Sequence, residues 1–299
     1  MPPRLTAQDF DQEVLSLFDA YVHGNLDRRG FLRQAQKFAK AGVTAAGLLA
    51  ALSPDFAAGQ QVRPDDARLR TERPSYPAPL GSGTVKGYLA RPAGAGSNKL
   101  PAVIVIHENR GLNPHIEDIA RRLALDGFMA FAPDALTRLG GYPGDEDKAR
   151  DLFGQLDQAK TVEDFVAGAR WLKARADSSG KLGAVGFCWG GGILHQLTVR
   201  LPELDAAVAF YGNTPAPQDA AKVKAPLLIH QAAVDERNNA DWPAYEAALK
   251  AAGVKYTAWR YPGTQHGFNN DTTPRYDAAA AKLAWDRTIA FLKANLTRP

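Results

Sequence analysis

The sequence predicts an α/β fold, a mostly parallel central sheet with helices on both faces, behind a helical amino-terminal extension. Three observations predict it. Apolar strand-like runs alternate with helical patterns from about residue 84 to the carboxyl end. A Gly-x-Cys-x-Gly turn, Gly186-Phe187-Cys188-Trp189-Gly190, stands between a strand pattern and a helix pattern. Asp235 and His266 then follow later strands, in the order nucleophile, acid, histidine that such folds use.

Composition narrows the function classes. The 299 residues are 45% hydrophobic and 23% charged, enough for a sizeable core. A net charge of +4 without a dense Lys/Arg run argues against a nucleic-acid partner. The single cysteine, Cys188, rules out an intrachain disulfide framework and a Cys-based zinc site. Nothing in the pattern demands a metal or a dissociable cofactor.

The elements follow in chain order. Phe10, Val14, Leu15, Phe18 and Val22 recur at helical spacing over residues 8–22. Next come Arg28-Arg29-Gly30-Phe31-Leu32 and a weakly apolar stretch, residues 39–52, too broken by Gly, Lys and Thr to span a membrane. Paired arginines ahead of such a stretch resemble a twin-arginine export signal, so periplasmic export is one expectation. The other is a cytoplasmic protein that keeps residues 1–60 as a helical extension. Asp27 stands where such signals usually have Ser or Thr, and the best cleavage candidate is Ala57-Ala58-Gly59. Residues 61–79 are polar and Pro-containing and read as a linker or arm, with the catalytic domain over 80–299.

Within that domain Thr84–Leu89 reads as an edge strand and Ala102–Ile106 as a buried one. A helix over Pro114–Leu125 precedes a strand at Phe128–Ala132, and two amphipathic stretches cover about 145–157 and 160–176. Strands at Leu182–Phe187, Ala206–Tyr211, Pro226–His230 and Tyr256–Tyr261 follow, with helices from Trp189, near 241–252 and near 274–294.

Ligands of parallel sheets bind at the carboxyl ends of the strands, so the chemistry belongs in the loops after these runs. Cys188 as nucleophile at a helix amino end meets free N–H groups and the positive end of the helix dipole, which favour a thiolate and a developing oxyanion. Six histidines compete for the role of base. His23 lies in the extension, His115 starts a helix and suits a surface role, and His195 shares the helix of Cys188. His230 suits a core position, and His107 follows a strand end. His266, in the loop between the last strand and the last helix, stands where the base is required. Asp235, with Glu236 as neighbouring competitor, would orient it. Glu108 and Asn109 follow the strand Ala102–Ile106, whose loop supplies the second oxyanion N–H in these folds; the first would come from Trp189.

The residues H-E-N-R-G-L, G-F-C-W-G-G, the Asp235 loop and H-G-F resemble the dienelactone hydrolase (carboxymethylenebutenolidase) family over about residues 80–295. The resemblance implies a Cys188-His266-Asp235 triad that opens enol lactones. It also implies that Glu108 holds the resting thiol and releases it as thiolate. Founding members bind the substrate carboxylate with an arginine four residues after the catalytic histidine; this chain has Asn270 there. Arg110, Arg138 and Arg275 are the alternative cations, and Tyr142, Tyr211, Trp189 and Phe268 are candidate pocket aromatics. The expected partner is a small-molecule ester or lactone, cleaved through a thioester after His266 or Glu108 accepts the thiol proton. Two rival classes are a redox-active thiol protein and a non-catalytic binding protein on the same fold.

Overall fold

The structure is a computed structural model and describes residues 4–39 and 43–297. Its centre is a sheet of strands β1 (Leu69–Glu72), β2 (Ser75–Ala78), β3 (Gly83–Pro92), β4 (Leu100–Ile106), β5 (Met129–Pro133), β6 (Ser178–Phe187), β7 (Ala206–Phe210), β8 (Leu227–Val234) and β9 (Tyr256–Gln265). Spatial order is β1-β3-β5-β4-β6-β7-β8-β9, with β2 also paired to β3. The β5-β4-β6-β7-β8-β9 pairs are parallel, whereas β3 runs antiparallel to β1, β2 and β5.

Two expectations change here. Residues 61–79, read as a linker or arm, contain β1 and β2, so the sheet begins at Leu69. Proline is tolerated in this position because an outer strand need not donate every N–H, and Pro77 lies in β2. Consequently β3 is an interior strand, covered by β1 and β2 on one side and β5 on the other.

Period-two alternation buries both faces of the sheet. Ala102, Ile104 and Ile106 join a cluster with Phe165 and Leu172 of α7 (Gln158–Lys173), Leu194 and Leu197 of α8 (Trp189–Arg200) and Tyr245 of α10 (Trp242–Ala251). Val103 and Val105 face the opposite cluster, with Ile116, Ile119 and Leu123 of α5 (Pro114–Leu125) and Leu292 and Leu296 of α11 (Ala278–Leu296). The short helices α6 (Glu146–Phe153) and α9 (Glu236–Asn239) lie in the loops on the way.

The extension has a core of its own. Val14, Leu15 and Phe18 of α1 (Gln12–Val22), Phe31 of α2 (Arg28–Ala35) and Leu49 and Leu52 of α3 (Ala45–Leu52) pack on one another. A single turn, α4 (Phe56–Gly59), leads on to the sheet. Asp27 caps α2, its carboxylate accepting from Gly30 N at 2.6 Å, which gives it a structural reason in this sequence. Polar contacts dock the extension: Arg28 to Asp147 at 2.9 Å, Arg275 to Asp19 at 3.2 Å, and Asp55 N to the Thr272 carbonyl at 2.7 Å. No helix among the described residues is long and apolar enough to cross a membrane.

Phe31 is fully buried in this small core. Phe31→Ala is expected to cost the extension about 3–5 kcal/mol and to split thermal unfolding into two transitions. Scanning calorimetry of the full chain reads the separation; one unshifted transition would contradict a separate core.

Candidate active site

The four loops predicted to carry chemistry follow β4, β6, β8 and β9, all on one edge of the parallel sheet. Cys188 sits between β6 and α8 with φ +55° and ψ −119°, a conformation costly for a residue with a side chain. The surrounding backbone imposes it. Cys188 N donates to the Phe210 carbonyl at 3.0 Å, and Gly191 N to the Cys188 carbonyl at 2.9 Å. A Cβ on Gly186 would stand 2.2 Å from the Gly190 carbonyl oxygen, and one on Gly190 2.4 Å from that of Ile106. Strand β6, helix α8 and strand β4 therefore approach each other as only glycine allows.

His266 is buried and its Nδ1 lies 2.7 Å from Asp235 Oδ2. Asn238 donates to the same carboxylate oxygen at 2.7 Å. Burial opposes the charge of Asp235, but the hydrogen bonds from His266 and Asn238 overrule it and hold the carboxyl below its usual range. Burial likewise opposes the His266 imidazolium; the facing Cys188 and the bond to Asp235 outweigh it and raise the imidazole to about 9. With Nδ1 on Asp235, Nε2 is left buried and without a hydrogen-bond partner among the described residues.

A second histidine meets the sulfur. His23, at the carboxyl end of α1, places Nε2 at 3.4 Å from Cys188 Sγ, and its ring lies edge-on to His266 at 4.8 Å. Its Nδ1 is 2.8 Å from the Asp19 carbonyl and 3.3 Å from Asp19 Oδ1. Burial disfavours the Asp19 charge, yet His23, His266 and Arg275 keep that carboxyl well below its usual range. Sequence reading set His23 aside with the extension, since nothing in its local pattern points toward a loop more than a hundred residues away. The donor atoms of His23, Cys188 and His266 all lie within 4.8 Å of one another, a geometry able to hold a cation. Arg237, whose guanidinium stands 3.0 Å from His23 Nε2, opposes one by charge.

A cavity of about 280 Å³ opens onto Cys188, bounded by His23, Asn25, Asn109, Trp189, Arg237 and His266 among others. Trp189 and Asn109, the expected oxyanion donors, both line it. Of the expected pocket residues, Arg110, Tyr142, Tyr211, Phe268 and Asn270 do not. Arg110 donates to the Val22 carbonyl at 3.0 Å, completing the end of α1. Tyr142 bonds Glu146 at 2.8 Å. Phe268 is core, its ring 5.0 Å from Tyr261 and 5.5 Å from Tyr211. Tyr211 is buried with φ +38°, its ring edge-on to His266 at 5.0 Å and its hydroxyl without a partner among the described residues.

Asn270 donates to Glu108 Oε2 at 2.8 Å. Both line a neighbouring cavity of about 220 Å³ whose wall includes Tyr21 and Val22 of α1. Of the expected alternative cations, Arg275 is engaged by Asp19 at 3.2 Å. Arg237, which no sequence signal marked, is the guanidinium bordering the Cys188 cavity.

The remaining histidines are structural. His107 accepts from Ala135 N at 3.1 Å through Nε2, and its Nδ1 faces the Glu108 carbonyl at 2.5 Å. His230 pairs with Tyr261 at 2.9 Å and Thr288 at 3.1 Å, and burial pushes it down to about 3. Burial takes His195 to about 4. His115, expected at the surface, is buried with Nδ1 3.2 Å from Asp271, because α5 packs that turn inward.

A mostly parallel sheet with a strained strand-to-helix turn and chemistry at its carboxyl edge defines an α/β hydrolase fold. The chain belongs to the dienelactone hydrolase family, whose model matches residues 85–296. A second family model, YqhI-like, matches residues 1–40. The "Putative carboxymethylenebutenolidase" of Saccharolobus solfataricus is 33% identical over 245 residues, 70% of this chain and 93% of that protein. The Escherichia coli K12 "Putative hydrolase fragment YghX" is 51% identical over 115 residues, 38% of this chain and 97% of the fragment. The crystal structure of a "Putative Dienelactone Hydrolase" from Klebsiella pneumoniae superposes with TM-score 0.67 at 31% identity, covering 75% of this chain and 98% of that one.

Because the facing Cys188 and Asp235 raise it, His266 should titrate near 9 in the wild type and lower in Cys188→Ser. Ring-nitrogen NMR against pH measures both; equal midpoints would remove the sulfur as the cause. Gly190→Ala should destabilise the protein by about 3 kcal/mol or more, read as a lowered melting temperature, since the contact is with backbone.

Proposed function

We propose that this member of the family is a thiol hydrolase of small carboxylic esters and enol lactones. The observation that carries the reading is the Asp235-backed His266 beside Cys188 at a cavity. The Cys188 sulfur attacks the acyl carbon, and the oxyanion falls toward the first N–H of α8, at Trp189, and toward Asn109. The alcohol or enol departs, leaving a thioester. His266 Nε2, without a hydrogen-bond partner among the described residues, takes a proton from water; the hydroxide adds to the thioester carbon, and the returning proton restores the thiol. Enol leaving groups suit this site because a stabilised enolate needs little help from an acid.

The cavity volume of about 280 Å³ favours small acyl groups. A carboxylate on the substrate would meet Arg237 rather than residue 270, since Asn270 is held on Glu108. The same packing favours a retained helical extension over an export signal: Phe31, directly after the arginine pair and Gly30, is core, and His23 borders the cavity. The intact mass of the protein from its own cells distinguishes the two.

Cys188→Ala is expected to abolish turnover of both p-nitrophenyl acetate and a dienelactone, and residual turnover at the wild-type rate would overturn the thiol mechanism. Arg237→Gln should raise KM for the carboxylate-bearing lactone roughly tenfold while leaving that for p-nitrophenyl acetate in place. An equal effect on both substrates would deny Arg237 the carboxylate.

A further inference from the structure

The thiol of Cys188 needs an acceptor for its proton; besides His266, which faces it, the described residues put a second imidazole nitrogen at hydrogen-bond distance from Sγ. That nitrogen is His23 Nε2, at 3.4 Å. Its neighbours on α1 select the tautomer. His23 Nδ1 faces two acceptors on Asp19, the carbonyl oxygen at 2.8 Å and Oδ1 at 3.3 Å, so it carries the hydrogen. The lone pair therefore sits on Nε2, where Arg237 also donates at 3.0 Å. Glu108 is occupied by Asn270 and lines the other cavity.

The position of His23 is anchored from both domains. Asn109 and Arg110 donate to the carbonyl of Val22, at 2.8 and 3.0 Å, clamping the end of α1 against the β4 loop. Asp19 is in turn held by Arg275 at 3.2 Å. The groups facing the His23 ring are thus Asp19 on its own helix, Cys188, His266, and Arg237 from α9.

The geometry points to His23 as a second catalytic histidine, supplied by the extension, which takes the Cys188 proton during acylation while His266 serves the water of deacylation. This rests on the thiol-hydrolase reading above. In acylation the S–H bond breaks, its proton passes to Nε2 of His23, and the electron pair left on sulfur forms the bond to the acyl carbon. The acyl C–O bond then breaks, and the His23 proton goes to the departing oxygen. A proton on Nε2 replaces the hydrogen bond from Arg237 and makes a cation that Arg237 opposes and Asp19 faces, just as Asp235 faces the cation of His266. Two imidazole-aspartate pairs would then flank one sulfur and divide the two half-reactions.

Because Cys188 is the single cysteine, its reactivity can be read without background. The test measures iodoacetamide alkylation by intact mass across pH, together with the pre-steady-state burst on p-nitrophenyl acetate, in the full chain. His23→Gln fills the same space but cannot take up the proton. It should slow the burst by about 10²-fold and move the alkylation profile to higher pH, with much less effect on hydrolysis of an already formed thioester. In His23→Ala, added imidazole should restore the burst, which a purely structural histidine would not allow. If the smaller alanine undocks the extension, seen as a changed melting profile, His23→Gln decides alone. A wild-type burst and alkylation profile in His23→Gln would overturn the role of His23. Turnover surviving in Cys188→Ala would instead overturn the thiol-hydrolase reading, so the two failures are distinct.

Discussion

Everything at this site hangs on a backbone turn that an L-residue resists. Cys188 holds φ at +55° because β4, β6 and α8 converge there without side chains between them, through Gly186 and Gly190, while Gly191 lets α8 approach the end of β7. Strain of this kind persists only where surrounding structure over-determines it. Here the over-determination comes from the buried parallel sheet, whose two apolar faces lock β4 and β6 in register. The core thus holds the sulfur at a helix amino terminus and in line with the loops after β8 and β9.

The extension belongs to the same arrangement from the opposite side. Its core is separate, but its contacts with the sheet domain are polar and end at the cavity: Val22 with Asn109 and Arg110, Asp19 with Arg275, His23 with Cys188. Residues that would otherwise be free to meet a ligand, Arg110 and Arg275 among them, are spent on holding this helix. Arg237 and the asparagines around it line the cavity at Cys188 instead.

Much of the fold was legible because its signals are local. The alternation of Ala102–Ile106 and the helix over Pro114–Leu125 come directly from periodicity, and the turn at Cys188 from glycine spacing. Asp235 and His266 were recognisable because chain order in a parallel sheet maps onto one edge. β1 and β2 were not, since they are short, polar and proline-bearing, and their strand character comes from pairing with β3. His23 escaped for a related reason: its meaning lies in a tertiary contact across 165 positions. Trp189 lines the Cys188 cavity, while Tyr142, Tyr211, Phe268 and Arg110 do not, because residue type says what can line a cavity and packing decides which way the side chain turns.

The extension's independent core has an evolutionary consequence. A family model of its own covers residues 1–40, and the Saccharolobus relative aligns with only 70% of this chain while using 93% of itself. Such a module can be gained or lost by fusion at the gene level without disturbing the sheet, because no strand of the sheet depends on it. Each such event would rebuild the roof over the sulfur in one step. Diversification in this lineage can therefore proceed by swapping the cover, leaving the strained turn beneath it untouched.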